Sequence, residues 1–539
     1  MKTYHPHGTQ NPTWWQTAVF YQIYPRSFQD STGDGIGDLQ GIINRLDYLV
    51  DLGINAIWIS PIFPSPMADF GYDVADYCDI HPMFGDLATF DRLLDEAHQR
   101  NLKIILDFVP NHSSNQHPWF LESRSARDNA QRDWYIWRDA QPDGSPPNNW
   151  TSMFGGSAWT WDEQTQQYYL HSFLPEQPDL NWRNPDVVDA MHNALRFWLQ
   201  RGVDGFRVDA ILCLIKHDSF ADNPPVEPGS FWEAWGHQFE PRYTVNQPEM
   251  FEHVRLMRRV FDEFEERVHI GETSTEDVAG LLPYYGLPLD GYDIPFNFKL
   301  LHADWHAATM RQIIEAYYDI LPDGGWPNFV FGNHDIHRFA TRYGYEHHRS
   351  VAMLLLTLWG IPTLYYGDEL GMEDVFIPVN QRIDPWGIKM PEADFGRDPE
   401  RTPMPWDSSP NAGFTAGEPW LPLADDYQTR NVASQLDDAH STLNFYKTLI
   451  SLRRSRPALH NGAFTFVDGL GDDLLAYLRE ADGQRLLVCL NFGDQARTVD
   501  LSHLTSQAET LLSTHFIQQS GSVFEVRPYE SILLVIDKT

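Results

Sequence analysis

The chain is poor in cysteine and in basic residues. Its 539 residues include three cysteines, Cys78, Cys213 and Cys489, which are widely spaced and form no Cys-x-x-Cys pair. This pattern excludes a disulfide framework and a cysteine-based zinc site. Lysine and arginine total 39 against 75 aspartates and glutamates, so the formal net charge is −36. Such a chain repels nucleic acid and anionic membranes, and we expect neither as a partner.

Long apolar runs are also absent. No stretch approaches the roughly 20 apolar residues that a membrane span requires, and the first residues, MKTYHPHGTQ, have no apolar signal core. We therefore expect a soluble cytoplasmic protein. A hydrophobic content of 42% and an aromatic content of 14% are typical of a globular chain.

Short apolar runs alternate with amphipathic helical patterns along most of the sequence. One helical stripe consists of Phe251, Val254, Met257, Phe261 and Phe264. Strands alternating with helices indicate parallel β/α units, and their repetition over about 350 residues favours a (β/α)8 TIM barrel in the α/β class. The apolar runs that we interpret as buried strands are AVFYQIY, INAIWIS, KIILDFVP, GFRVDA, VHIGET, PNFVFGNHD and IPTLYYGDEL.

Two regions interrupt this rhythm. Residues 113–181 are polar and rich in proline, glycine and aromatic residues, and a structureless loop of that length is improbable in a compact domain. We predict a small inserted domain there, after the third strand. After Arg456 the pattern changes to short alternating strands, which predicts a C-terminal all-β sandwich domain over 458–539. Residues 1–112 and 182–457 then form the barrel.

Charged and imidazole side chains cluster where the predicted strands end. Asp209, Glu272 and Asp335 follow three different strands, and the carboxyl ends of barrel strands form one active-site face. Cleavage of a glycosidic bond needs a proton for the leaving oxygen and a carboxylate for the cation-like sugar carbon. Paired carboxylates at one barrel mouth therefore favour glycoside hydrolysis.

The segment GFRVDA sets an arginine beside one of these carboxylates. Arg207 and Asp209 are two residues apart and share one face of a strand, so we expect the guanidinium to lower the pKa of Asp209. Glu272 follows the apolar VHIG, and burial there would favour its protonated form. The alternative is that Arg207 and Asp209 form a structural ion pair only.

At these motifs the sequence resembles the α-amylase family of retaining glycoside hydrolases, in its α-glucosidase and oligo-1,6-glucosidase branch. The four strand-end motifs that match in order are DFVPNH (107–112), GFRVDA (205–210), GET (271–273) and GNHD (332–335). Further matches are WWQTAVFYQIYPRSFQDSTGDGIGD, DFGYDVADY, QPDLNW (177–182) and ERTPMPWD (400–407). The resemblance covers nearly the whole chain.

The resemblance implies a role for each matching residue. Asp209 resembles the nucleophile, Glu272 the general acid/base, and Asp335 the third carboxylate that binds substrate hydroxyls. The residues that resemble binders of the terminal glucose are Arg207, His112 and His334 around the ring, Asp69 and Tyr72 as acid and aromatic platform, and Arg401 behind the sugar.

Each binding residue also has a structural alternative. His112 could be a satisfied strand-end histidine, Asp69 a cap of a helix or turn, and Tyr72 a core residue. Arg401 could pair with any nearby acid. The ordered set of motifs favours the binding interpretation for all of them.

Residues 30–38, DSTGDGIGD, resemble the family's short Ca²⁺ or Mg²⁺ loop. Acidic residues with glycines between them can surround a hard cation with oxygen ligands. The expected ligands of this structural ion are Asp30, Thr32, Asp34, Ile36 and Asp38, with Thr32 standing where the family has Asn or Asp. An acidic, glycine-rich turn without metal is the alternative.

Ala210, directly after Asp209, bears on linkage. In this branch valine there accompanies α-1,6 enzymes and alanine or threonine α-1,4 enzymes, which favours maltose-like or sucrose-like substrates. We expect an exo-acting retaining α-glucosidase that acts on small α-glucosides. The alternatives are an α-glucosyl-transferring enzyme or a sucrose or maltose isomerase with a hydroxyl acceptor, and a non-catalytic binding subunit. Whether the chain is a monomer or homodimer is left open.

Overall fold

The centre of the molecule is an eight-stranded parallel sheet. The structure is a computed structural model that describes residues 2–6, 12–391 and 395–537. We number the barrel strands in chain order: β1 Phe20–Ile23, β2 Ala56–Ile59, β3 Lys103–Phe108, β4 Gly205–Val208, β5 Val268–Gly271, β6 Ile294–Pro295, β7 Asn328–Val330 and β8 Ile361–Tyr365. Their spatial order is β6-β5-β4-β3-β2-β1-β8-β7. This is a nearly closed (β/α)8 barrel.

One side chain spans the remaining gap between β6 and β7. The Asn328 amide donates to the carbonyl of Pro295, and its Oδ1 accepts from the N–H of Asn297 at 2.9 Å. The ladder between these two strands is thus replaced by side-chain hydrogen bonds. The sequence predicted seven of the eight strands and missed β6, because two residues carry no readable period.

Helices pack around the barrel as the alternating pattern predicted. Leu87–Gln99 begins at Asp86, whose side chain accepts from Thr89 N, and it buries Phe90, Leu93, Leu94 and Ala97. The other helices that flank the barrel strands are Leu39–Asn44, Leu46–Leu52, Pro185–Arg201, Met250–Phe261, Leu282–Tyr285, Ala307–Ile320, Phe339–Tyr343, His348–Thr357 and Thr442–Ser455. Phe264, counted in the predicted stripe, lies past the end of its helix.

Shorter helical segments lie mostly in the connections. The short α-helices are Trp14–Thr17, Pro25–Phe28, Pro118–Ser123, Phe231–Ala234, Pro385–Lys389, Val432–Leu436 and Pro457–Asn461. The 3-10 turns are Arg132–Trp134, Ile211–Cys213, Val278–Leu281, Leu300–His302, Tyr345–His347, Asp368–Leu370, Val379–Gln381, Pro399–Arg401 and Pro410–Gly413. None of the helices in the described residues is long and apolar enough to cross a membrane.

The predicted insertion folds as a small antiparallel sheet between β3 and β4. Its strands are Trp137–Arg138, Gln167–Leu170 and Trp159–Asp162, in that spatial order. Asp179, fully buried, attaches this insertion to the barrel: it accepts from Asn111 at 3.0 Å and lies 2.5 Å from Lys216 Nζ. This clamp fixes the insertion over the carboxyl ends of the barrel strands.

The C-terminal region is all β, as predicted. A seven-stranded antiparallel sheet contains Ala463–Val467, Leu474–Ala481, Gln484–Asn491, Ser531–Ile536, Ala508–Ser513 and Ser520–Gly521, and Arg497–Asp500 pairs separately with Val523–Val526. The seventh strand is Thr3–Tyr4, which pairs with Ala463–Val467. Residues near the N terminus therefore join the C-terminal sheet, although the sequence grouped them with the barrel. The three domain ranges remain our proposed division.

Candidate active site

One buried guanidinium organises three carboxylates at the carboxyl ends of the strands. Arg207 Nη1 donates to Asp209 Oδ1 at 2.6 Å and to Asp107 Oδ1 at 2.7 Å. Its Nη2 lies 2.5 Å from Glu272 Oε1. Arg207 is fully buried, while the Asp209 and Glu272 side chains are 11% and 18% exposed. Asp209 and Glu272 thus contact neighbouring nitrogens of one guanidinium and face the same space.

This sharing decides the protonation of the cluster. Burial raises the pKa of Asp209 well above its usual range, the Glu272 carboxylate adds to the rise, and Arg207 only opposes it. Burial likewise raises the pKa of Asp107 to about 6. Arg207 does lower the pKa of Asp209, as the sequence predicted, but burial and the Glu272 carboxylate raise this pKa more, so the net shift is upward.

Glu272 is held by the backbone rather than by apolar burial. Its Oε2 accepts from the N–H of Ala210 at 2.7 Å. The apolar VHIG lead-in buries β5 itself, but the carboxylate beyond it reaches the cavity. Ala210 adopts a left-handed conformation, with φ 46° and ψ 30°, which turns its N–H towards Glu272.

Asp335 lies opposite, against two guanidinium groups and the ring of His334. Its Oδ1 accepts from Arg401 Nη2 at 3.0 Å and from Arg397 Nη1 at 3.3 Å, and His334 Nε2 is 3.4 Å from Oδ2. Burial alone would raise the pKa of Asp335. His334 and the two guanidinium groups outweigh it and hold this pKa well below its usual range. Asp335 is therefore ionised at neutral pH.

The glucose-binding candidates meet at the same end. Tyr72 stacks on His334 with ring centroids 5.4 Å apart and donates to Asp107 at 3.0 Å. His112 Nε2 lies 3.1 Å from the Tyr72 carbonyl. Burial lowers the pKa of His112 to about 4 and that of His334 well below its usual value, so both imidazoles are neutral at neutral pH. Asp69 is buried, and burial raises its pKa to about 6 although Arg397 opposes the rise.

A cavity with about 1060 Å³ of empty space, counting its open mouth, unites most of these residues. The predicted site residues that line it are Asp69, Tyr72, His112, Asp209, Glu272 and Asp335. Arg207, His334 and Arg401 lie behind this lining. The structure thus brings all nine predicted catalytic and substrate-binding residues together, six at the surface of the cavity and three behind it.

Arg397 is the main residue that the sequence did not reveal. It lines the cavity, and its Nη2 donates to Asp69 Oδ1 at 2.6 Å while Nη1 reaches Asp335. Asp384, fully buried, holds its other side through Arg397 Nε at 2.8 Å. Arg397 stands four residues before Arg401, just outside the recognised ERTPMPWD motif, and that spacing is the only signal in the sequence.

Two further residues of this site, Gln177 in the cavity lining and Asp107 behind it, belong to recognised motifs but were given no role. Gln177 opens QPDLNW; its Nε2 donates to Asp69 Oδ2 at 3.3 Å and lies 3.1 Å from His112 Nε2. Asp107 opens DFVPNH and shares Arg207 with Asp209. Motif membership was the available signal for both.

The loop at residues 30–38 is organised by its own backbone. Asp30 Oδ1 accepts from the N–H groups of Thr32 and Gly33 at 2.7 and 2.8 Å, and Oδ2 accepts from Gly35 N at 2.9 Å. Burial opposes ionisation, but a hydrogen bond from the Thr415 hydroxyl and these N–H groups outweigh it and lower the pKa of Asp30. Its carboxylate is therefore already satisfied without a cation.

The other two acids of this loop are similarly occupied. Asp34 Oδ1 accepts from Ile36 N at 3.0 Å, and Asp38 caps the helix Leu39–Asn44 through Gly41 N. Within the described residues, Asp30, Asp34 and Asp38 are not a group whose carboxylate oxygens all lie within 4.8 Å of one another. In this conformation the three carboxylates do not converge on one point, so a Ca²⁺ or Mg²⁺ ion here would depend on other oxygen ligands as well.

A different group meets that distance. His337, Asp374 and Glu400 each offer a ligand atom within 4.8 Å of the others, with His337 Nδ1 2.9 Å from Asp374 Oδ2. They lie next to the cavity, since His337 follows Asp335 by two residues and Glu400 precedes Arg401. The described residues thus contain one acidic and histidine group with metal-compatible spacing.

Comparison with known proteins agrees with this geometry. Residues 22–462 match the α-amylase catalytic domain, and residues 474–533 match the C-terminal domain of the α-amylase SusG. A probable α-glucosidase of Rhizobium meliloti (strain 1021) is 42% identical over 90% of this chain and 91% of its own length.

Solved structures give the same result. An α-glucosyl transfer enzyme, XgtA, superposes with a TM-score of 0.91 at 40% identity, covering 98% of this chain and 100% of its own. The trehalulose synthase MutB superposes with a TM-score of 0.89 at 36% identity, covering 97% and 100%. With the family's catalytic domain matched over most of its length, the chain belongs to the α-amylase family of glycoside hydrolases.

Proposed function

We propose that the protein is an exo-acting, retaining α-glucosidase that releases α-glucose from the non-reducing end of short α-glucosides. The observation that carries the proposal is the shared guanidinium: Asp209 and Glu272 contact the two Nη atoms of Arg207 and face one cavity. Retention requires the two carboxyl groups to be close, about 5–5.5 Å apart, and one fork holds them close.

The first half-reaction uses the proton that the cluster retains. Glu272 gives a proton to the glycosidic oxygen, the bond from that oxygen to C1 breaks, and Asp209 Oδ bonds to C1. Burial and the neighbouring acids favour one retained proton among these carboxyls. Substrate entry places the leaving oxygen near Glu272, where that proton is consumed.

The second half-reaction restores the site. Glu272, now ionised, removes a proton from water, the water oxygen bonds to C1, and the C1–Asp209 bond breaks. Two inversions at C1 leave the α configuration. Arg207 remains paired throughout with whichever carboxylate is ionised, which limits reorganisation of the site.

The closed polar end of the cavity supports exo action. Arg397 links Asp69 to Asp335, so charged groups close the end of the cavity where a terminal sugar would lie. Ionised Asp335 and the neutral imidazole of His112 suit hydrogen bonding to sugar hydroxyls. One glucose unit fits such an end, and a chain cannot pass through it.

Among disaccharides we propose a preference for α-1,4 over α-1,6 bonds, with maltose-like or sucrose-like substrates. Ala210 supports this preference because it lines the cavity and positions Glu272 through its N–H. A β-branched residue is costly in the left-handed conformation of Ala210.

A second candidate is glucosyl transfer on the same site, including isomerisation of sucrose or maltose. A hydroxyl other than water then attacks C1 of the glucosyl enzyme. The apolar side chains lining the cavity, which include Trp232 and Trp235, favour it by limiting water. XgtA, by name an α-glucosyl transfer enzyme, and the trehalulose synthase MutB also support it.

Product analysis tests the proposal. The chain should hydrolyse p-nitrophenyl α-glucoside and maltose, and NMR should detect α-glucose before mutarotation. No release, or β-glucose first, would overturn it, and no release would favour the non-catalytic binding subunit. A product time course on maltose, isomaltose and sucrose separates linkage preference from transfer. We retain a structural cation in loop 30–38 as a proposal, although it requires those carboxylates to turn.

A further inference from the structure

We propose that the outer half of the cavity binds a flat, apolar aglycone or acceptor, an aromatic alcohol or phenol, in preference to a second sugar. This rests on the proposed function, because it names the group attached to, or receiving, the glucosyl unit. The surface that carries it is an aromatic strip, defined as Phe173, Phe154, Trp386, Trp235 and Phe231.

The strip starts at the glucose end and continues outward without a break. Ring centroids are 5.1 Å apart from His112 to Phe173 and 5.7 Å apart from Phe173 to Phe154. They are 5.2 Å apart from Phe154 to Trp386. Because His112 lies beside Tyr72 at the polar end, the first ring of the strip directly adjoins the terminal glucose.

The outer rings complete the strip. Trp386 stacks on Trp235 with an interplanar angle of 17° and centroids 6.0 Å apart, and Trp235 lies 6.0 Å from Phe231. Trp235 and Phe231 are partly exposed, whereas Trp386 is buried. The strip therefore presents ring surface towards the mouth of the cavity.

Three separate segments build this strip. Phe154 and Phe173 come from the inserted domain, Phe231 and Trp235 from the connection after β4, and Trp386 from the helix Pro385–Lys389. The apolar cluster that joins Phe154, Phe173, Trp235 and Trp386 shows that the segments pack on one another. The strip is thus formed by tertiary packing of three segments that contact one another.

The charges of the cavity are distributed unequally. Among the described lining residues, the carboxylates and the guanidinium are those of Asp69, Asp209, Glu272, Asp335 and Arg397, all at the glucose end. On the side of the strip, a sugar in the outer half would meet rings instead of water, although Ser274, His237 and His302 also line the cavity, and hydroxyls that lose a hydrogen-bond partner disfavour binding. An aromatic ring loses little hydration and gains offset or edge contacts with Trp235.

In transfer to such an acceptor, atoms balance without a further reagent. The alcohol oxygen bonds to C1, its proton goes to Glu272, and the bond between C1 and Asp209 breaks. Ring contacts with the strip would hold the acceptor in place of water. The same contacts would hold the aromatic leaving group in the reverse direction.

The test compares benzyl α-glucoside, methyl α-glucoside and maltose. Benzyl alcohol and methanol are leaving groups of similar acidity, so the ratio of their kcat/KM values reports binding in the outer half. We expect the benzyl substrate to exceed the methyl substrate by about tenfold or more. With maltose as donor and benzyl alcohol or methanol as acceptor at equal concentration, benzyl α-glucoside should be the main transfer product.

Variants locate the effect. Trp235→Ala and Phe231→Ala should each lower the benzyl-to-methyl ratio by about tenfold, and Trp235→Phe should restore part of it. Trp161→Ala is the matched control, because Trp161 lies on the inserted sheet against Tyr168 and outside the cavity lining. Melting curves identify any variant that fails to fold. Because two positions of the strip are substituted separately, the comparison can still be made if one variant does not fold.

The outcomes are distinguishable. A benzyl-to-methyl ratio near one, a maltose preference over both, or an equal loss in Trp161→Ala overturns the aromatic aglycone while leaving the α-glucosidase intact. A chain that cleaves none of the three substrates overturns both proposals. A high ratio that falls in Trp235→Ala and Phe231→Ala alone supports the strip as the aglycone site.

Discussion

The two halves of the cavity are lined by different kinds of side chain. The glucose end is made of charged groups on strand ends: Arg207 and Asp209 continue β4, and Glu272 follows β5. The outer half is made of aromatic rings on loops, such as Trp235 and Trp386. Strand ends are rigid and suit chemistry, whereas loops vary and suit choice of partner. The inner half should therefore determine whether the glucosidic bond is cleaved, and the outer half should determine which aglycone or acceptor is used.

The largest effect should come from the inner half. Asp209→Asn keeps the shape of the side chain but removes the nucleophile, and we expect kcat to fall by about 10⁴-fold or more. The measurement is hydrolysis of p-nitrophenyl α-glucoside, with a melting curve to show that the fold remains. Substantial residual activity would remove Asp209 from the nucleophile role.

Substitution of Arg397 tests whether the closed end of the cavity depends on the geometry of a guanidinium or only on its positive charge. Arg397→Lys keeps the charge but cannot reach Asp69, Asp335 and Asp384 together, and we expect kcat/KM on maltose to fall by about 100-fold. Arg196→Lys, in an exposed pair with Glu263, is the control and should change nothing measurable. Equal activity of the two variants would contradict a role for Arg397 in closing the site.

Ala210 lies where the two halves meet. In Ala210→Val the β-branched side chain strains a left-handed backbone by about 1–3 kcal/mol and disturbs the N–H that holds Glu272. We expect kcat/KM on maltose to fall by about 30-fold and the isomaltose-to-maltose ratio to rise. Ala210→Gly keeps the N–H and relieves the strain, so it should retain activity within about threefold. An unaltered ratio in Ala210→Val would remove this position from linkage choice.

The pH profile should sharpen the contrast, since titratable acids occur at the glucose end. Burial raises the pKa of Asp69 and of Asp107 to about 6, so both become protonated as pH falls through 6. We expect kcat/KM to fall at least tenfold per pH unit below that value, because two acids take up protons in the same range. A profile that stays flat down to pH 4 would contradict these shifts.

The same two groups act on stability with the opposite sign. Their folded pKa of about 6 lies above the value of about 3.9 in an unfolded chain. The folded state therefore binds more protons between pH 4 and 6, and these groups make unfolding easier as pH rises through that window. Asp69→Asn should reduce this slope in melting experiments.

The smallest effect is expected at loop 30–38, which has no proposed role in either half of the cavity. Because Asp30 and Asp38 already accept backbone N–H bonds, added Ca²⁺ should raise the Tm by only about 2 °C. Asp34→Asn should abolish that rise, and Asp143→Asn in an exposed turn should not. A loss of more than about 10 °C on adding EDTA would contradict a self-organised loop.

The sequence predicted functional residues at strand ends better than functional residues in loops. Asp209, Glu272 and Asp335 could be found because the first two directly follow β4 and β5, the third ends the apolar run PNFVFGNHD, and barrel strand ends converge. Arg397 could not, since a buried arginine in a loop has no period, and its partners Asp69 and Asp335 are 328 and 62 residues away in sequence. The strand Ile294–Pro295 was missed for a related reason, being only two residues long.

The environment of the carboxylates shows the same limit of prediction from sequence. Two-residue spacing correctly predicted that Arg207 contacts Asp209, but not that Asp107 and Glu272 compete for the same guanidinium. Burial and the neighbouring Glu272 carboxylate both depend on how the strands pack, and together they outweigh Arg207 and raise the pKa of Asp209. In the metal loop, spacing suggested converging carboxylates, while the folded backbone turned them to its own N–H groups.

By itself, the sequence determined the barrel, the inserted and C-terminal β regions, and the glycoside hydrolase class, and it predicted the residues of the glucose end. These depend on local periodicity and on residue types at strand ends, which are readable along the chain. Only the tertiary structure decided the protonation of the carboxylate cluster, the arginine that closes the pocket and the aromatic strip across three segments. Each of those depends on distances between residues remote in sequence, and pairwise Coulomb energies and ring contacts are set by such distances.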